Sequence, residues 1–444
     1  MNNLLIIYPH WPPSNLAGVH RPRLIANNIS DFNWHPIVLT VAHQFYEEEF
    51  DWDFTKTIGE DIEVIYTRAI PVFKPRIIGD IGLRSLFFLY NAAKKIIQLR
   101  KIDFIWIPVP SFYTALLGPW LYNKFRIPYG IDYIDPWIRD ISSRRNWRSV
   151  ISLLLARWLE PIAVKKASLI TGVAYEYYRP VLKRNFPYLL GDVNSLKSPY
   201  LHVSTSPRLP VNHSTGLPIT HFSFPYGFDP NDYNVIPANR ELPWDKNTTI
   251  PIVYAGAFLP NARITMELLF QSLEKMKKEG KIPDGIKFYF IGTGSYTGPS
   301  ISELSKKSDI AEMVEEKRER LPYLTILHLL KNAHGVMVIG STEPHYTASK
   351  LYQALLSTRP VMALLHQRSQ AYEVLKEIEA DTYTTVFDLP DEAIVPAIMD
   401  KLKIFFSPKD SWNPNLEDLT KYSAYESARK LVGKIEEILG SEKN

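Results

Sequence analysis

The chain has 444 residues, 45% of them apolar and 22% charged, with a formal net charge of +4 and no cysteine. This length and balance predict two globular domains, each long enough to bury its own core, while disulfides and thiolate metal sites are excluded and so small a net charge gives no ground for a nucleic-acid partner. The opening MNNLLIIYPHWPP has no basic leader and no window of 18 apolar residues occurs, so neither a signal peptide nor a transmembrane helix is expected and a cytoplasmic protein is the reading.

NNLLIIYP (2–9) reads as a buried strand, and the loop HWPPSNLAG leads into the helix VHRPRLIANNI. Gly18 suits the positive φ that such a turn often needs. His20, Arg21 and Arg23 follow in the first helical turn, around Pro22, where proline is tolerated. PIVLTV (36–41), DIEVIYT (61–67) and DFIWIPV (103–109) read as further strands, with the helix SLFFLYNAAKKIIQL (85–99) between the last two. IPYGIDYIDPW ends a strand in Asp132 and Asp135. An amphipathic helix, the strand ASLITGV (167–173) and the helix AYEYYRPVLKR come next. Alternation of strand and helix predicts a doubly wound α/β domain. From about 185 to 218 the periodicity gives way to Pro, Ser, Asn and His, an irregular insertion. ITHFSFPYGFDPNDY (219–233) then reads as a last strand and a turn into the linker.

A second α/β series begins at TIPIVYAGAF (249–258) and continues with a helix from Met266 to Lys278, IKFYFIGTG (286–294), a helix over 301–319 and YLTILHLLKNA (323–333). GVMVIG (335–340), the polar loop STEPHYTAS, a helix through Leu351, Tyr352, Leu355 and Leu356, and the strand VMALL form a βαβ unit. Its loop falls at the carboxyl end of a parallel strand, where open sheets bind ligands. Thr347 and Ser349 come to the helix start and Lys350 to its first turn. Backbone N–H groups, the helix dipole, hydroxyls and a cation together suit a diphosphate; simple capping with a solvated Lys350 is the alternative. SQAYEVLKEIEA, DEAIVPAIMDKLKIFF and roughly Asn415–Leu439 add helices, the last long enough to return to the first domain. The domains predicted are 1–235, 236–410 and a return helix within 411–444.

Four segments, in order along nearly the whole chain, carry a resemblance: GVHRPRLIANNISDFNWHPIVLT (18–40), GIDYIDPW (130–137), FPYGFDPNDY (224–233) and SKLYQALLSTRPVMA (349–363). They are similar to the glycine loop with its Arg-Pro pair and following strand, the D-x-R-D-P-W motif, the P-N-G-x-D turn and the S-K-L-x-E-x-L-x-x-G-K-P-V-x-A motif of the bacterial family 4 type (group 1) glycosyltransferases. Those enzymes build lipopolysaccharide, capsule and other surface glycans. Three positions depart from the pattern: Gln353 replaces the glutamate that holds ribose hydroxyls, Thr358 replaces a glycine and Ile134 replaces an arginine. Gln353 can still accept through its carbonyl, without charge assistance.

The resemblance implies the GT-B architecture, two Rossmann-like doubly wound domains facing a cleft with a C-terminal helix returning to the first. It also implies a nucleotide-diphosphate-sugar donor and retention of configuration, with a glycan or lipid-linked acceptor. On the donor side Lys350 and Arg263 are candidate diphosphate cations, with a surface role as the alternative for Arg263. Gly256 would let the backbone approach the donor. Ser349 and Gln353 belong to the matching motif, and Glu343 lies near the place of a donor-contacting carboxylate, with His345 a weaker neighbour. Gly292 and Gly294 read as a turn. On the acceptor side Asp135 and Asp132 would orient or deprotonate the hydroxyl or stabilise an oxocarbenium-like state, unless Asp135 only caps the next helix. Gly18, His20 and Arg21, with Arg23, would bind an anionic acceptor or phosphates, or simply start the helix.

No D-x-D lies in a loop placed to hold a metal on a diphosphate, and the resemblance implies a metal-independent reaction without a cofactor. The stretch 142–166 carries Arg144, Arg145, Arg148, Arg157, Lys165 and Lys166 with Trp147 and Trp158 interleaved, and 84–101 carries five cations around FFLY. Such faces suit an anionic membrane surface, here the inner face of the plasma membrane; ordinary solvated helix faces are the alternative. Two rivals stay open, a GT-B sugar-nucleotide epimerase and a non-catalytic GT-B scaffold. A nicotinamide enzyme is disfavoured because no G-x-G-x-x-G follows the first strand.

Overall fold

Runs of Leu, Ile, Val and Phe without polar interruption form strands covered on both faces, as parallel sheets require. The computed structural model describes residues 1–72, 79–138, 147–190, 211–212, 214–216, 219–238, 240–294, 298–342, 350–407 and 412–441. Two units result: Met1–Asp229 with Tyr422–Asn444, and Pro230–Lys421. Residues 230–235 and 411–421 therefore group with the second.

In the first unit β1 (Asn2–Ile7), β2 (Trp34–Val41), β3 (Glu63–Thr67), β4 (Phe104–Val109), β5 (Tyr129–Tyr133), β6 (Leu169–Gly172) and β7 (Thr220–Ser223) form one sheet, ordered β3-β2-β1-β4-β5-β6-β7. All its pairings are parallel. Alternate side chains of one strand leave on opposite faces. Leu5 and Ile7 thus join a core with Leu89, Ala93 and Ile96 of the helix Ile81–Leu99, while Leu4 and Ile6 join Ile25 and Ile29 on the other face. That second face is closed by the C-terminal helix Ala424–Ser441, which buries Ala428, Leu431, Val432, Ile435 and Ile438 along one stripe. Each of the larger four contributes about 1.5–3 kcal/mol. Trp34 Nε1 donates to Glu436 at 3.1 Å and Ala424 N to Phe228 O at 2.8 Å. The return helix thus completes the first unit, although it begins at Ala424, after a short 3-10 turn at Asp418–Tyr422, and not near 415.

The second sheet comprises β8 (Ile250–Ala255), β9 (Ile286–Ile291), β10 (Val314–Lys317), β11 (Gly335–Ile339), β12 (Val361–His366) and β13 (Tyr383–Phe387), in the parallel order β10-β9-β8-β11-β12-β13. The expected helix over 301–319 is wrong. A helix spans only Ile301–Lys307, Asp309 takes a positive φ of 48°, and β10 follows as an edge strand whose residues alternate half-buried and exposed. Charges on an edge strand discourage pairing with other chains, and here their polarity hid the two-residue period. β13 and the helix Leu117–Phe125 also lie where no element was read.

Thr358, standing where the resembled family has glycine, adopts φ 59° just past the helix Lys350–Leu356. A β-branched residue is strained there. Thr358→Gly is expected to stabilise the second unit by about 0.5–1 kcal/mol net of the extra chain entropy of glycine; a lower urea midpoint would contradict this.

Candidate functional site

Both sheets change direction beside their first strand, between β1 and β4 and between β8 and β11. At such a switch point the loops diverge and leave a crevice. The chain leaves β8 at Gly256, whose φ of 143° strains any residue with a Cβ, and a Cβ there would stand 1.8 Å from Lys350 Nζ. Lys350 arrives from the other side of the switch point, at the start of the helix after β11. Its ammonium lies 3.5 Å from Ala257 O and 5.3 Å from the centre of the Tyr254 ring. Thr342 N donates to Asn261 O at 3.2 Å, tying the β11 loop to the β8 loop.

Among the described residues no carboxylate pairs with Lys350. Burial, and then the charge of Arg320, lower its ammonium to about 8. A partly desolvated cation with a second cation nearby is stabilised by whatever anion enters. Gly256→Ala would displace the ammonium and strain the turn.

The other donor-side candidates are placed as follows. Gln353 sits three residues beyond Lys350, half-buried, and its backbone carbonyl accepts from Tyr233 Oη at 2.7 Å. Arg263 opens the helix Arg263–Lys278 and donates through Nε to Glu267 one turn on, at 2.9 Å, with both side chains more than a third exposed. Part of its charge is therefore offset within its own helix. Gly292 and Gly294 both have positive φ with open space around them, so they form the turn after β9. Glu343, His345, Thr347 and Ser349 lie outside the described residues. Arg320 was not found from the sequence, because it belongs to no motif and its only cue is its place after an edge strand that had been read as helix.

In the first unit two of the candidate residues turn inward. Arg21 and Asp132, read as acceptor-binding and catalytic, are both fully buried. The guanidinium meets the carboxylate through two bonds, Nε to Oδ2 at 2.5 Å and Nη2 to Oδ1 at 2.8 Å. Its Nη1 donates to Phe224 O and Pro225 O, and Thr171 Oγ1 donates to Asp132 Oδ1 at 2.6 Å. The pair is a buried polar pin between the first helix, β5, β6 and the end of β7. Arg23 is equally buried, donating to Thr57 O at 3.2 Å, with its guanidinium over the Phe54 ring. His20 is half-buried, 3.2 Å from Asn15 Oδ1 and packed on Phe54. Gly18 is helical and does not use a positive φ; it is required because a Cβ would fall 2.2 Å from Tyr8 Oη.

Asp135 keeps a half-buried place beyond the end of β5. Burial, then Tyr226 and then Asp135, raise the Tyr8 hydroxyl well above its ordinary value. Asp51 and Asp53, a D-x-D by spacing, are engaged locally: Asp51 accepts from Phe54 N and Asn15 Nδ2, and Asp53 pairs with Lys56. Among the described residues no three metal-ligating side chains cluster.

No family model and no curated protein sequence matches this chain. Solved structures do match along its whole length. Anabaena HepE, in complex with UDP and glucose, aligns with a TM-score of 0.56 and 12% identity over 98% of this chain and 99% of that one. The trehalose-6-phosphate synthase OtsA gives 0.61 and 10% over 98% and 99%. Sucrose-phosphate synthase from Thermosynechococcus elongatus gives 0.53 and 12% over 99% and 95%. The fold is GT-B.

The stretches read as basic membrane faces look different in three dimensions. Arg84 is buried and donates to Ile70 O and Phe45 O, Arg100 pairs with Glu63, and Lys101 with Asp103. Arg144 and Arg145 lie outside the described residues, as does the side chain of Arg148. The helix Trp147–Val164 instead presents an apolar stripe, with Leu154 60% and Trp158 67% exposed and Val150, Ile151, Leu155 and Ile162 beside them. Phe87 and Trp120, on the helices Ile81–Leu99 and Leu117–Phe125, are also exposed. Among the described residues no helix is long and apolar enough to cross a membrane.

Proposed function

We propose that this protein is a glycosyltransferase that moves a sugar from a nucleotide-diphosphate-sugar donor to a hydroxyl of a glycan or lipid-linked acceptor in bacterial cell-surface polysaccharide biosynthesis. The observation that carries this reading is Lys350 pressed against Gly256 at the β8–β11 switch point, where GT-B folds leave room for a ligand. Negative charge grows on the diphosphate as the sugar–phosphate bond breaks, and a preorganised ammonium lowers the barrier most at that moment. Arg320, whose charge acts on Lys350, would add to the positive field there, and a metal-independent reaction is part of this proposal. HepE was solved with UDP and glucose, and an E. coli trehalose-6-phosphate structure with UDP-2-fluoro glucose, which supports a UDP-sugar as the first donor class to try.

Retention follows from the family resemblance. In that chemistry the departing phosphate takes the acceptor proton, and Asp135 would steady the acceptor without acting as an essential base. The exposed stripe on Trp147–Val164, flanked by exposed Arg157 and Lys165, supports docking on the inner face of an anionic membrane. Replacing Leu154 and Trp158 together by glutamate is expected to lower sedimentation with anionic vesicles at least fivefold and to leave nucleotide binding unchanged; equal sedimentation would remove the membrane.

The test is a thermal-shift panel of nucleoside diphosphates and their sugar conjugates in EDTA. A ligand present at a hundred times its Kd stabilises by about 2.7 kcal/mol, a readily visible shift. No shift with any of them would leave a non-catalytic scaffold. The epimerase alternative shares the fold, as a putative UDP-N-acetylglucosamine 2-epimerase from Listeria monocytogenes does at a TM-score of 0.54. Sugar-nucleotide turnover that proceeds without any acceptor would select it.

A further inference from the structure

The first sheet has its own switch point, and a pocket of about 370 Å³ opens there, lined by His10, Glu47, Glu48, Asp80, Arg84 and Ser111. His10 and Ser111 lie just past the carboxyl ends of β1 and β4. Three carboxylates face a single guanidinium, which is already engaged: Arg84 Nη1 and Nη2 donate to backbone carbonyls, Nη2 also lies 3.5 Å from Glu47 Oε2, and Nε is sealed from solvent. Glu48 and Asp80 remain as the carboxylates that Arg84 does not neutralise.

Glu48 accepts from His10 Nδ1 at 2.9 Å and Ser14 Oγ at 2.5 Å. Burial opposes its ionisation, but the bonds from His10 and Ser14 outweigh it and bring the carboxyl down to about 2. Asp80 caps the helix Ile81–Leu99 by accepting from Leu83 N at 2.8 Å. Surrounding protein raises its carboxyl above the ordinary value even though one edge stays open to solvent. A carboxylate offers about four lone-pair sites, so both side chains retain acceptor capacity facing the pocket.

A continuous file of rings leads away from this pocket. His10 lies 5.0 Å from Tyr46, Tyr46 6.4 Å from Phe50, Phe50 5.9 Å from Trp52, and Trp52 5.3 Å from His43. The file ends in the open, with Trp52 58% and Phe50 39% exposed. Ring faces carry negative charge and attract the polarised C–H faces of a sugar, while the pocket's carboxylates accept its hydroxyls. Acidic acceptors with an aromatic strip suit an uncharged saccharide and repel a uronate or phosphate.

We infer that this pocket and its aromatic file form the acceptor subsite, taking the reacting end of a neutral oligosaccharide against Glu48 and Asp80 and laying the following sugars along Phe50 and Trp52. The inference rests on the transferase reading and names its acceptor class. It replaces the anionic acceptor expected from Arg21 and Arg23.

The experiment is saturation-transfer NMR on the full chain with millimolar methyl glycosides and neutral trisaccharides, beside uronate-containing and phosphorylated counterparts. Neutral saccharides should bind, with the trisaccharides at least tenfold tighter. Trp52→Ala should remove that gain and leave the methyl glycosides unchanged. Asp80→Asn keeps a good helix cap and should weaken both at least fivefold. Anionic saccharides binding as well as neutral ones, no saccharide binding at all, or either variant behaving as wild type would overturn the inference. A nucleotide thermal shift on the same samples separates the two ideas: nucleotide binding without saccharide binding defeats the subsite alone, and saccharide binding without any nucleotide shift defeats the transferase reading.

Discussion

Lys350→Ala should cut sugar transfer at least a hundredfold and nucleoside diphosphate affinity at least tenfold, while the fold stays as stable as before or gains slightly. Removing one preorganised charge partner from a transferring centre typically loses two to three orders of magnitude, about 2.7–4 kcal/mol. The stability half of the result is the sharper one. A lysine held at about 8 by burial and by Arg320 is one the empty protein disfavours in its charged form. Its folded value lies below the unfolded one of about 10.4, so the penalty is complete below pH 8 and is relieved as pH rises from 8 towards 10. Alanine removes the penalty along with the function. A variant that lost activity through misfolding would instead melt lower.

The same shift sets a pH dependence for the donor. The diphosphate needs the ammonium and restores its affinity for the proton, so binding at pH 8–9 should take up a proton and weaken as pH rises through 8. Calorimetry in two buffers of different ionisation heat reads that uptake directly. Binding with no proton uptake across this range would mean that Lys350 does not touch the diphosphate, whatever its effect on turnover.

Much of this architecture was legible because sheets buried on both faces admit little but apolar runs. IVLTV, FIWIPV, VMVI and VMALL announce themselves, and strand–loop–helix order then puts Gly256 and Lys350 at a carboxyl edge. The edge strand β10 was not legible, since half its residues face solvent and its glutamates read as a helix surface. Charge direction was the larger failure. Arg21 and Asp132 are 111 residues apart, and nothing local distinguishes a cation that turns inward to meet a distant carboxylate from one that waits for a substrate. The acceptor pocket draws on four separate loops and helix ends, so no spacing could have assembled it. On the helix Trp147–Val164 cations and tryptophans interleave in the sequence, and which apolar residues stay exposed depends on how the helix packs: Leu154 and Trp158 lie outside.

Breaking the Arg21–Asp132 pair is the second large effect. Arg21→Ala should destabilise the first unit by about 3–5 kcal/mol, because Asp132 would remain buried without its counter-charge. Lysine should rescue little: an ammonium cannot reproduce the planar fork that meets both carboxylate oxygens and also reaches the Phe224 and Pro225 carbonyls. Replacing both residues by apolar ones of similar size should recover at least half of the loss, since the pair bears a desolvation cost that an apolar replacement avoids. The measurement is urea unfolding followed by tryptophan fluorescence, run beside an activity assay. If Asp132 were the catalytic carboxylate, Asp132→Asn would abolish transfer with the unfolding midpoint unmoved. With the carboxylate fully buried, activity should instead fall only as far as the folded population does.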